Sequence, residues 1–400
     1  MKCTHQKVVY RHHTQRVACY TLHNRMANFF NNILKSFSKA GESSVVGIDI
    51  GSSSIKVVQL RRKNGRAVLE TYGELSLGPY ADVEVGRATK LAPEKIVEAI
   101  NDVLTEANAT TTSCALSIPM RQSLVSIIRM PQMKDAQLAQ MIPIEARKYI
   151  PVPISEVALD WFVIPKIDPE PEDYMGVPEG EHKLPQIEVL VVAIHNDVLQ
   201  NYSTIVANSK LDASFFEIEM FSTVRAVIEP GDNTPVMICD MGAGVTKVYI
   251  VERGVIRDSH VINKGSQDIT LNISQSLNVS IEFAEKLKRN FGRNTREQDE
   301  QIKEIIDLVI LPVLSEINTV LLTFQKRYNK NVSKVFLIGG GSLLYGLDQR
   351  AQERLAIPVL YGDPFAKVET PAFLEGILKQ TGLAFATSIG LALRKLQELG

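Results

Sequence analysis

The segment Val46-Gly47-Ile48-Asp49-Ile50-Gly51-Ser52-Ser53-Ser54-Ile55-Lys56 decides the fold of this chain. The apolar residues before Asp49 predict a buried strand, and the apolar run that begins at Ile55 predicts a second strand. The small residues between them predict a tight turn, because glycine adopts backbone conformations that other residues avoid. Asn64-Gly65 then predicts a hairpin turn into a third strand.

The same pattern returns in the second half of the chain. Asp240-Met241-Gly242-Ala243-Gly244-Val245-Thr246 follows the apolar run Val236–Cys239 and precedes another apolar run. Each copy has an Asp, a Gly two residues later, and then small or hydroxyl residues. A single Asp-x-Gly turn is also an ordinary hairpin turn. Two copies, each fed by a buried strand, indicate a duplicated supersecondary unit.

Two such turns facing each other would bind the phosphates of a nucleotide. Glycines let backbone N–H groups approach phosphate oxygens, and hydroxyl groups and a lysine add further donors. The residues predicted to make these contacts are Gly51, Ser52, Ser53, Ser54, Lys56, Gly242, Ala243, Gly244 and Thr246. The carboxylates of Asp49 and Asp240 are predicted to hold a Mg²⁺ ion through water, because Mg²⁺ keeps several waters and takes few protein ligands.

A third glycine-rich segment, Gly339-Gly340-Gly341-Ser342, ends the apolar run Lys334–Ile338. Three consecutive glycines are costly in conformational entropy. They are explained if a flat adenine ring lies against the backbone there, although a flexible strand-to-helix turn has the same composition.

Glu285 and Lys288 lie three residues apart in a predicted helix over Ser280–Phe291. This spacing places both side chains on one helix face. They are predicted to contact a ribose hydroxyl and the adenine ring. A solvated helix face would show the same pair.

These four elements, in this order, resemble the ATPase superfamily of actin, hexokinase and the heat-shock chaperones. Within it the chain resembles the PilM family of type IV pilus assembly proteins, with FtsA as a relative. The likeness extends over residues 45–397 and is strongest in 46–56 and 144–153, where a Tyr-Ile-Pro-x-Pro sequence favours PilM over FtsA. Lys247 departs from the family pattern, in which Asn is frequent.

The resemblance implies an α/β, actin-like (ribonuclease H-like) two-domain fold with an inserted subdomain of the FtsA/PilM type, and it implies ATP and Mg²⁺ as ligands. The predicted parts are a disordered basic leader over 1–44 with a short helix at 26–38, a first domain over 45–122, an inserted small α/β subdomain over 123–222, a second domain over 223–386, and a closing helix over 387–400 that returns to the first domain.

The resemblance also implies a cytoplasmic platform at the inner face of the cytoplasmic membrane that docks the cytoplasmic tail of a PilN-like inner-membrane protein. Arg147, Tyr149 and Ile150 are predicted to contact that tail, although core packing beside a solvated Arg explains them equally well. A platform needs ATP binding rather than rapid turnover, so weak or negligible ATPase activity is expected. Gln122 is the candidate for orienting an attacking water.

Composition excludes several other classes of protein. The net charge is −1, and the positive excess is confined to residues 1–40, which hold seven Lys or Arg and no acid. A nucleic-acid-binding protein would need a basic patch on its folded body. The four cysteines, Cys3, Cys19, Cys114 and Cys239, form no CxxC pair and are expected to be free thiols. No uninterrupted apolar run has the length of a membrane span.

Two alternatives remain open at this stage. An FtsA-like protein would form filaments and bind the membrane, and the apolar face of 26–38 would suit an interfacial helix or a short docking helix. A phosphotransferase of the sugar-kinase type would need a catalytic Asp in a polar pocket. The inserted segment offers no obvious one, and Asp160 lies beside the apolar Trp161.

Overall fold

The computed structural model describes residues 43–165, 185–292 and 299–399. The predicted leader helix at 26–38 lies outside these residues. The strands are β1 (Ser44–Ile50), β2 (Ser54–Lys63), β3 (Arg66–Ser76), β4 (Ser113–Ile118), β5 (Ser123–Pro131), β6 (Val157–Ile164), β7 (Gln186–His195), β8 (Asp212–Ile218), β9 (Val236–Met241), β10 (Thr246–Glu252), β11 (Val255–Ile262), β12 (Val335–Ile338) and β13 (Val359–Tyr361).

The α-helices are α1 (Pro93–Glu106), α2 (Asp135–Ala146), α3 (Asn196–Asn208), α4 (Glu219–Val227), α5 (Ser266–Leu277), α6 (Ile281–Asn290), α7 (Asp299–Tyr328), α8 (Leu347–Leu355), α9 (Glu375–Thr381) and α10 (Ala386–Glu398). Local sequence explains several helix ends. Pro93 begins α1, where a missing N–H costs nothing, and the Ser280 hydroxyl caps α6 by accepting from the Phe283 N–H.

Two five-stranded sheets have the same strand order. The first runs β3-β2-β1-β4-β8 and the second runs β11-β10-β9-β12-β13. In each, the first three strands in sequence pair antiparallel and the last two join in parallel. The duplicated turns close with the same bond, from Gly51 N–H to the Ser54 carbonyl (3.0 Å) and from Gly242 N–H to the Val245 carbonyl (2.9 Å).

A third sheet, of order β5-β7-β6, is antiparallel throughout and forms the inserted subdomain. Its own core includes Leu138 and Ile142 of α2. The structure assigns β8 to the first sheet, where it lies parallel to β4, although the sequence boundary of 123–222 would place it in the insert. Strand β8 ends at Ile218, and the chain turns directly into α4 at Glu219.

Helix α10 returns to the first domain and packs on β1, β2, β4 and α4. The main core joins residues of both large sheets, and a second core lies between the second sheet and helices α5 to α8. Two segments have the length and average composition of a membrane-crossing helix, Asp299–Tyr328 and Ala372–Glu398. About half of the apolar window of the first and 67% of that of the second are buried inside the protein, as expected for core helices.

Candidate functional site

The two duplicated turns face each other across the cleft between the large domains. The Ser52 hydroxyl oxygen lies 3.4 Å from the position that a Cβ on Gly244 would occupy. Beside them the backbone N–H of Ala88 donates to Oε1 of Gln267 at 2.9 Å. Residues of the first domain and of α5 in the second therefore meet at the mouth of the site.

Asp49, at the end of β1, is positioned by the neighbouring strand. Its Oδ1 accepts a 2.7 Å hydrogen bond from the hydroxyl of Ser117 at the end of β4. The Ile50 N–H donates to the same hydroxyl at 3.3 Å. Ser117 thus fixes the carboxylate at the base of the first turn.

Some of the predicted phosphate donors are already bonded to other protein groups, and others are exposed. The Thr246 hydroxyl is buried and donates to the Lys264 carbonyl at 2.9 Å. The Lys56 ammonium contacts the Ser54 hydroxyl at 2.6 Å and the Glu74 carboxylate at 3.2 Å. Ser52 is exposed and lies at the mouth of the cleft. The N–H groups of Gly51 and Gly242 close their own turns, so Ser52 and the other backbone N–H groups of the two turns are the parts of this set that are open to a ligand.

A buried ion network occupies the floor of the cleft. The ammonium of Lys247 lies 2.7 Å from Oδ2 of Asp240 and 2.6 Å from Oε2 of Glu219. The other oxygen of Glu219 accepts a 2.8 Å hydrogen bond from the Met120 N–H. The network therefore joins β9 and β10 of the second domain to α4 and to the segment that follows β4.

Burial and charge act against each other in this network. Burial by itself would lower the pKa of Lys247, but Asp240 and Glu219 raise that pKa well above its usual value. Lys247 is therefore an ammonium ion in the folded protein. Burial raises the pKa of Glu219, and the nearby charges of Asp49 and Asp240 act in the same direction.

Close packing requires glycine at two of the three positions after β12 and leaves the middle position open. Gly339 has a φ of +82°, and a Cβ there would lie 2.5 Å from Oδ1 of Asp240. A Cβ on Gly341 would lie 2.6 Å from Cγ of Met241. A Cβ on Gly340 would meet no atom within 4 Å. Gly340 is thus the open backbone position, while Ser342 is buried and its hydroxyl donates to the Ile338 carbonyl.

Glu285 and Lys288 are not a solvated face of α6. Their side chains are 17% and 11% exposed and form a 2.7 Å ion pair. The Lys288 ammonium also donates to the Ser266 carbonyl at 3.1 Å and contacts the Thr270 hydroxyl at 2.9 Å. A Cβ on Gly341 would lie 3.1 Å from Cβ of Ser266. The pair therefore lies behind α5, on the same side of the cleft as the glycine segment.

Gln122 lies on a short 3₁₀ turn after Pro119 and is exposed. Its backbone N–H donates to the Pro119 carbonyl at 2.9 Å. The preceding residue, Arg121, hydrogen-bonds Asn263 of the second domain. The turn that carries Gln122 therefore bridges the cleft beside the phosphate turns.

The residues predicted to bind a partner separate in the structure. Arg147 and Tyr149 are exposed just beyond α2, and Tyr149 is 45% exposed. Ile150 is 6% exposed and belongs to the core of the insert, so its side chain offers no surface to a peptide. Met141 and Ile144 of α2 are exposed apolar side chains close to Tyr149 in sequence.

Sequence reasoning missed Glu219 and Gln267, which contribute to the cleft. Glu219 follows β8 directly, in the way that Asp49 ends β1, and an acid after a buried strand is the signal that could have indicated it. Gln267 carries no such signal, because its importance comes from facing Ala88 across the cleft.

Comparison with known proteins identifies the family. The model of the type IV pilus assembly protein PilM matches residues 47–396. The chain belongs to the PilM family. It is also similar to the cell division protein FtsA of Streptococcus pneumoniae, at 24% identity over 373 residues that cover 84% of this chain and 79% of that protein. FtsA of Enterococcus faecalis is 24% identical over 265 residues, covering 62% of this chain and 58% of that protein.

A solved structure, the PilM-PilN type IV pilus biogenesis complex, matches with a TM-score of 0.72 and 22% sequence identity, covering 88% of this chain and 98% of that one. The predicted α/β, actin-like fold is confirmed by this match and by the two sheets of equal strand order. The predicted membership of the PilM family is confirmed as well.

Proposed function

We propose that this PilM-family protein is an ATP-binding platform of the type IV pilus machinery. In this proposal it lies at the inner face of the cytoplasmic membrane and docks the cytoplasmic tail of a PilN-like inner-membrane protein. The relative positions of the two duplicated turns carry the nucleotide part of the proposal. Ser52 of one turn faces Gly244 of the other, and such a pair of glycine turns suits a chain of phosphates between them.

The open backbone at Gly340 supports a place for the adenosine half of ATP. Gly339 and Gly341 are already required by close packing, whereas Gly340 has free space above it. In this proposal the adenine ring lies against Gly340, with Glu285 and Lys288 supporting α5 and α6 beside it. The residues therefore fit a nucleotide in the cleft. Asp240 is already ion-paired with Lys247, so the predicted Mg²⁺ contact of Asp49 and Asp240 stays a prediction.

Substitution of Gly340 tests nucleotide binding. Gly340→Leu places a side chain in this space, where its Cβ meets no protein atom within 4 Å, so we expect ATP affinity to fall at least about tenfold while the melting temperature of the free protein stays unchanged. Binding is measured with a fluorescent ATP analogue. Gly376→Leu is the matched control, since a Cβ on Gly376 of α9 also meets nothing within 4 Å. Wild-type protein that binds no adenine nucleotide would reject the proposal.

Turnover is proposed to be weak or negligible. Glu219, which lies within electrostatic reach of Asp49 and Asp240, is engaged by Lys247 and by the Met120 N–H, so it is not free to accept a proton from water. Gln122 remains the candidate for orienting a water. A steady-state phosphate-release assay tests both points. Rapid hydrolysis by the isolated protein would contradict weak turnover. Residual hydrolysis that survives Gln122→Ala would contradict the role of Gln122 in orienting a water.

The surface around Tyr149 is proposed to dock the partner's tail. Met141, Ile144 and Tyr149 are exposed apolar side chains, and Arg147 adds a positive charge. An N-terminal peptide of the PilN-like protein from the same genome is titrated against wild type, Tyr149→Ala and Arg147→Ala. We expect weaker binding by about tenfold for the tyrosine variant. Phe373→Ala is the control, because Phe373 is an exposed aromatic residue (81%) outside the insert. Equal binding by the wild type and all three variants would mean that the peptide docks on another surface.

A further inference from the structure

Lys247 lies in the floor of the cleft, between the predicted metal ligand Asp240 and Glu219 of α4. It pairs directly with Asp240 in the antiparallel register of β9 and β10. Its side chain is 11% exposed, and its ammonium contacts Asp240 at 2.7 Å and Glu219 at 2.6 Å. A lysine thus holds the carboxylate that sequence reasoning assigned to magnesium.

Oδ2 of Asp240 is not free for a metal coordination sphere. It contacts the Lys247 ammonium and accepts a 3.3 Å hydrogen bond from the Tyr249 hydroxyl. Oδ1 faces Gly339, because a Cβ on that glycine would lie 2.5 Å from it. Mg²⁺ requires octahedral geometry and retains several waters, and such a hydrated ion needs space beside at least one carboxylate oxygen.

Among the described residues, no group of three or more His, Cys, Asp or Glu side chains is arranged to hold a metal ion. The lysine supplies a positive charge, which is part of what the metal ion would supply to a phosphate. An ammonium is a compact positive charge that serves as a phosphate ligand in many proteins. It has three N–H donors, of which Asp240 and Glu219 account for two.

We propose that Lys247 takes the place of the divalent cation at Asp240, so that this site binds ATP with little dependence on Mg²⁺. The inference rests on the proposed nucleotide binding and concerns the same cleft. A tethered cation is present before the nucleotide arrives, whereas a metal ion must be brought in with it. A positive charge is then present beside Asp240 whether or not Mg²⁺ is available.

The decisive experiment uses the wild-type chain and needs no variant. Binding of a fluorescent ATP analogue is measured in excess EDTA and in excess MgCl₂, with thermal stabilisation by ATP as a second readout. We expect the two dissociation constants to agree within about threefold. A loss of affinity of about tenfold or more in EDTA overturns the inference and leaves the proposed function standing. Absence of binding under both conditions overturns both.

Substitution of the lysine assigns the effect to Lys247. Lys247→Asn should make binding depend on the metal, with affinity at least about tenfold weaker in EDTA than in MgCl₂. Because this change leaves two buried carboxylates without a counter-charge, Lys247→Asn/Glu219→Gln is measured alongside it. Lys330→Asn is the control, since Lys330 is an exposed lysine of the same domain that pairs with Glu252. If the folded double variant remains independent of Mg²⁺, Lys247 does not have this role.

Discussion

Gly390 of α10 and Ser222 of α4 pack backbone against backbone. A Cβ on Gly390 would lie 2.9 Å from Cα of Ser222 and would overlap its carbonyl oxygen. On its other side α10 approaches β1 equally closely, because a Cβ on Gly47 would lie 2.9 Å from the backbone nitrogen of Ala392. The closing helix is therefore held between the central strand of the first domain and α4, which carries Glu219 at its start.

Gly390→Ala should destabilise the protein although alanine is the better helix former. The added methyl group forces α10 away from α4, and overpacking of this kind costs about 1–3 kcal/mol. The free energy of unfolding is measured in urea. Gly376→Ala is the control, because its Cβ meets nothing, and there the substitution should be neutral or stabilising by up to about 1 kcal/mol. Equal stability of the two variants would contradict the close packing.

Glu217 is a buried carboxylate that holds three elements together. It accepts hydrogen bonds at 2.7 and 2.8 Å from both terminal nitrogens of Arg225 on α4 and at 2.6 Å from Arg394 on α10. Burial by itself would raise the pKa of Glu217, but the two guanidinium groups lower it to about 2. The folded protein thus holds this proton less tightly than the unfolded chain does.

The sign of the pH dependence follows from that lowered pKa. The stabilisation is fully present above the ordinary glutamate pKa of 4.5 and is lost as the pH falls from there towards about 2. Glu217→Gln removes it at all pH values and should cost about 3–5 kcal/mol at pH 7, since two arginines lose their counter-charge. Urea unfolding of wild type and variant between neutral and acid pH should show this difference shrinking. Glu282→Gln, at an exposed glutamate paired with Lys286, is the control and should leave the curve unchanged.

Local patterns in the sequence were enough to predict the strands and turns that build the phosphate site. The run around Asp49 and its copy around Asp240 contain the strand, the turn and the return strand within residues 44–63 and 236–252. Alternation of apolar residues and glycine chemistry act over such short distances. The antiparallel pairing of the first three strands of each sheet could therefore be anticipated from the repeat.

Contacts between distant parts of the chain were not predictable in this way. Lys247 could be seen as a departure from the family pattern, but its partner Glu219 lies within the segment 123–222 that was predicted to form the insert. β8 joins the first sheet rather than the insert because its pairing with β4 is decided by tertiary packing. The Glu285–Lys288 pair resembles a solvated helix face until α5 covers it.

The two described cysteines, Cys114 and Cys239, should be unreactive in the folded protein. Both are buried in the central strands, and burial raises the pKa of each thiol to about 12. A thiol with that pKa has about a thousandfold less thiolate near neutral pH than an ordinary cysteine. In a Cys3→Ser/Cys19→Ser background we expect no labelling by Ellman's reagent before unfolding and two labelled thiols after it. Rapid labelling of the native protein would show that one of these strands opens.

The hydrogen bond from the Ala88 N–H to Gln267 Oε1 joins the domains at the mouth of the cleft. Ala88 is followed by Thr89, whose N–H donates to the Ser52 carbonyl at 2.8 Å. The bond therefore connects the first phosphate turn to the N-terminal turn of α5. Gln267→Ala removes the acceptor and leaves the rest of this contact in place.

We expect Gln267→Ala to favour the open cleft by about 1 kcal/mol, the typical net contribution of one hydrogen bond. Amide exchange at Ala88 should then accelerate about fivefold, and so should dissociation of a bound fluorescent ATP analogue chased with ATP. Gln352→Ala on α8 is the matched control, because Gln352 is an exposed glutamine of the same domain. Faster exchange at Ala88 with unchanged nucleotide dissociation would mean that the cleft opens here without releasing its ligand. An unchanged exchange rate would mean that the domains stay together without this bond, through contacts such as that of Arg121 with Asn263.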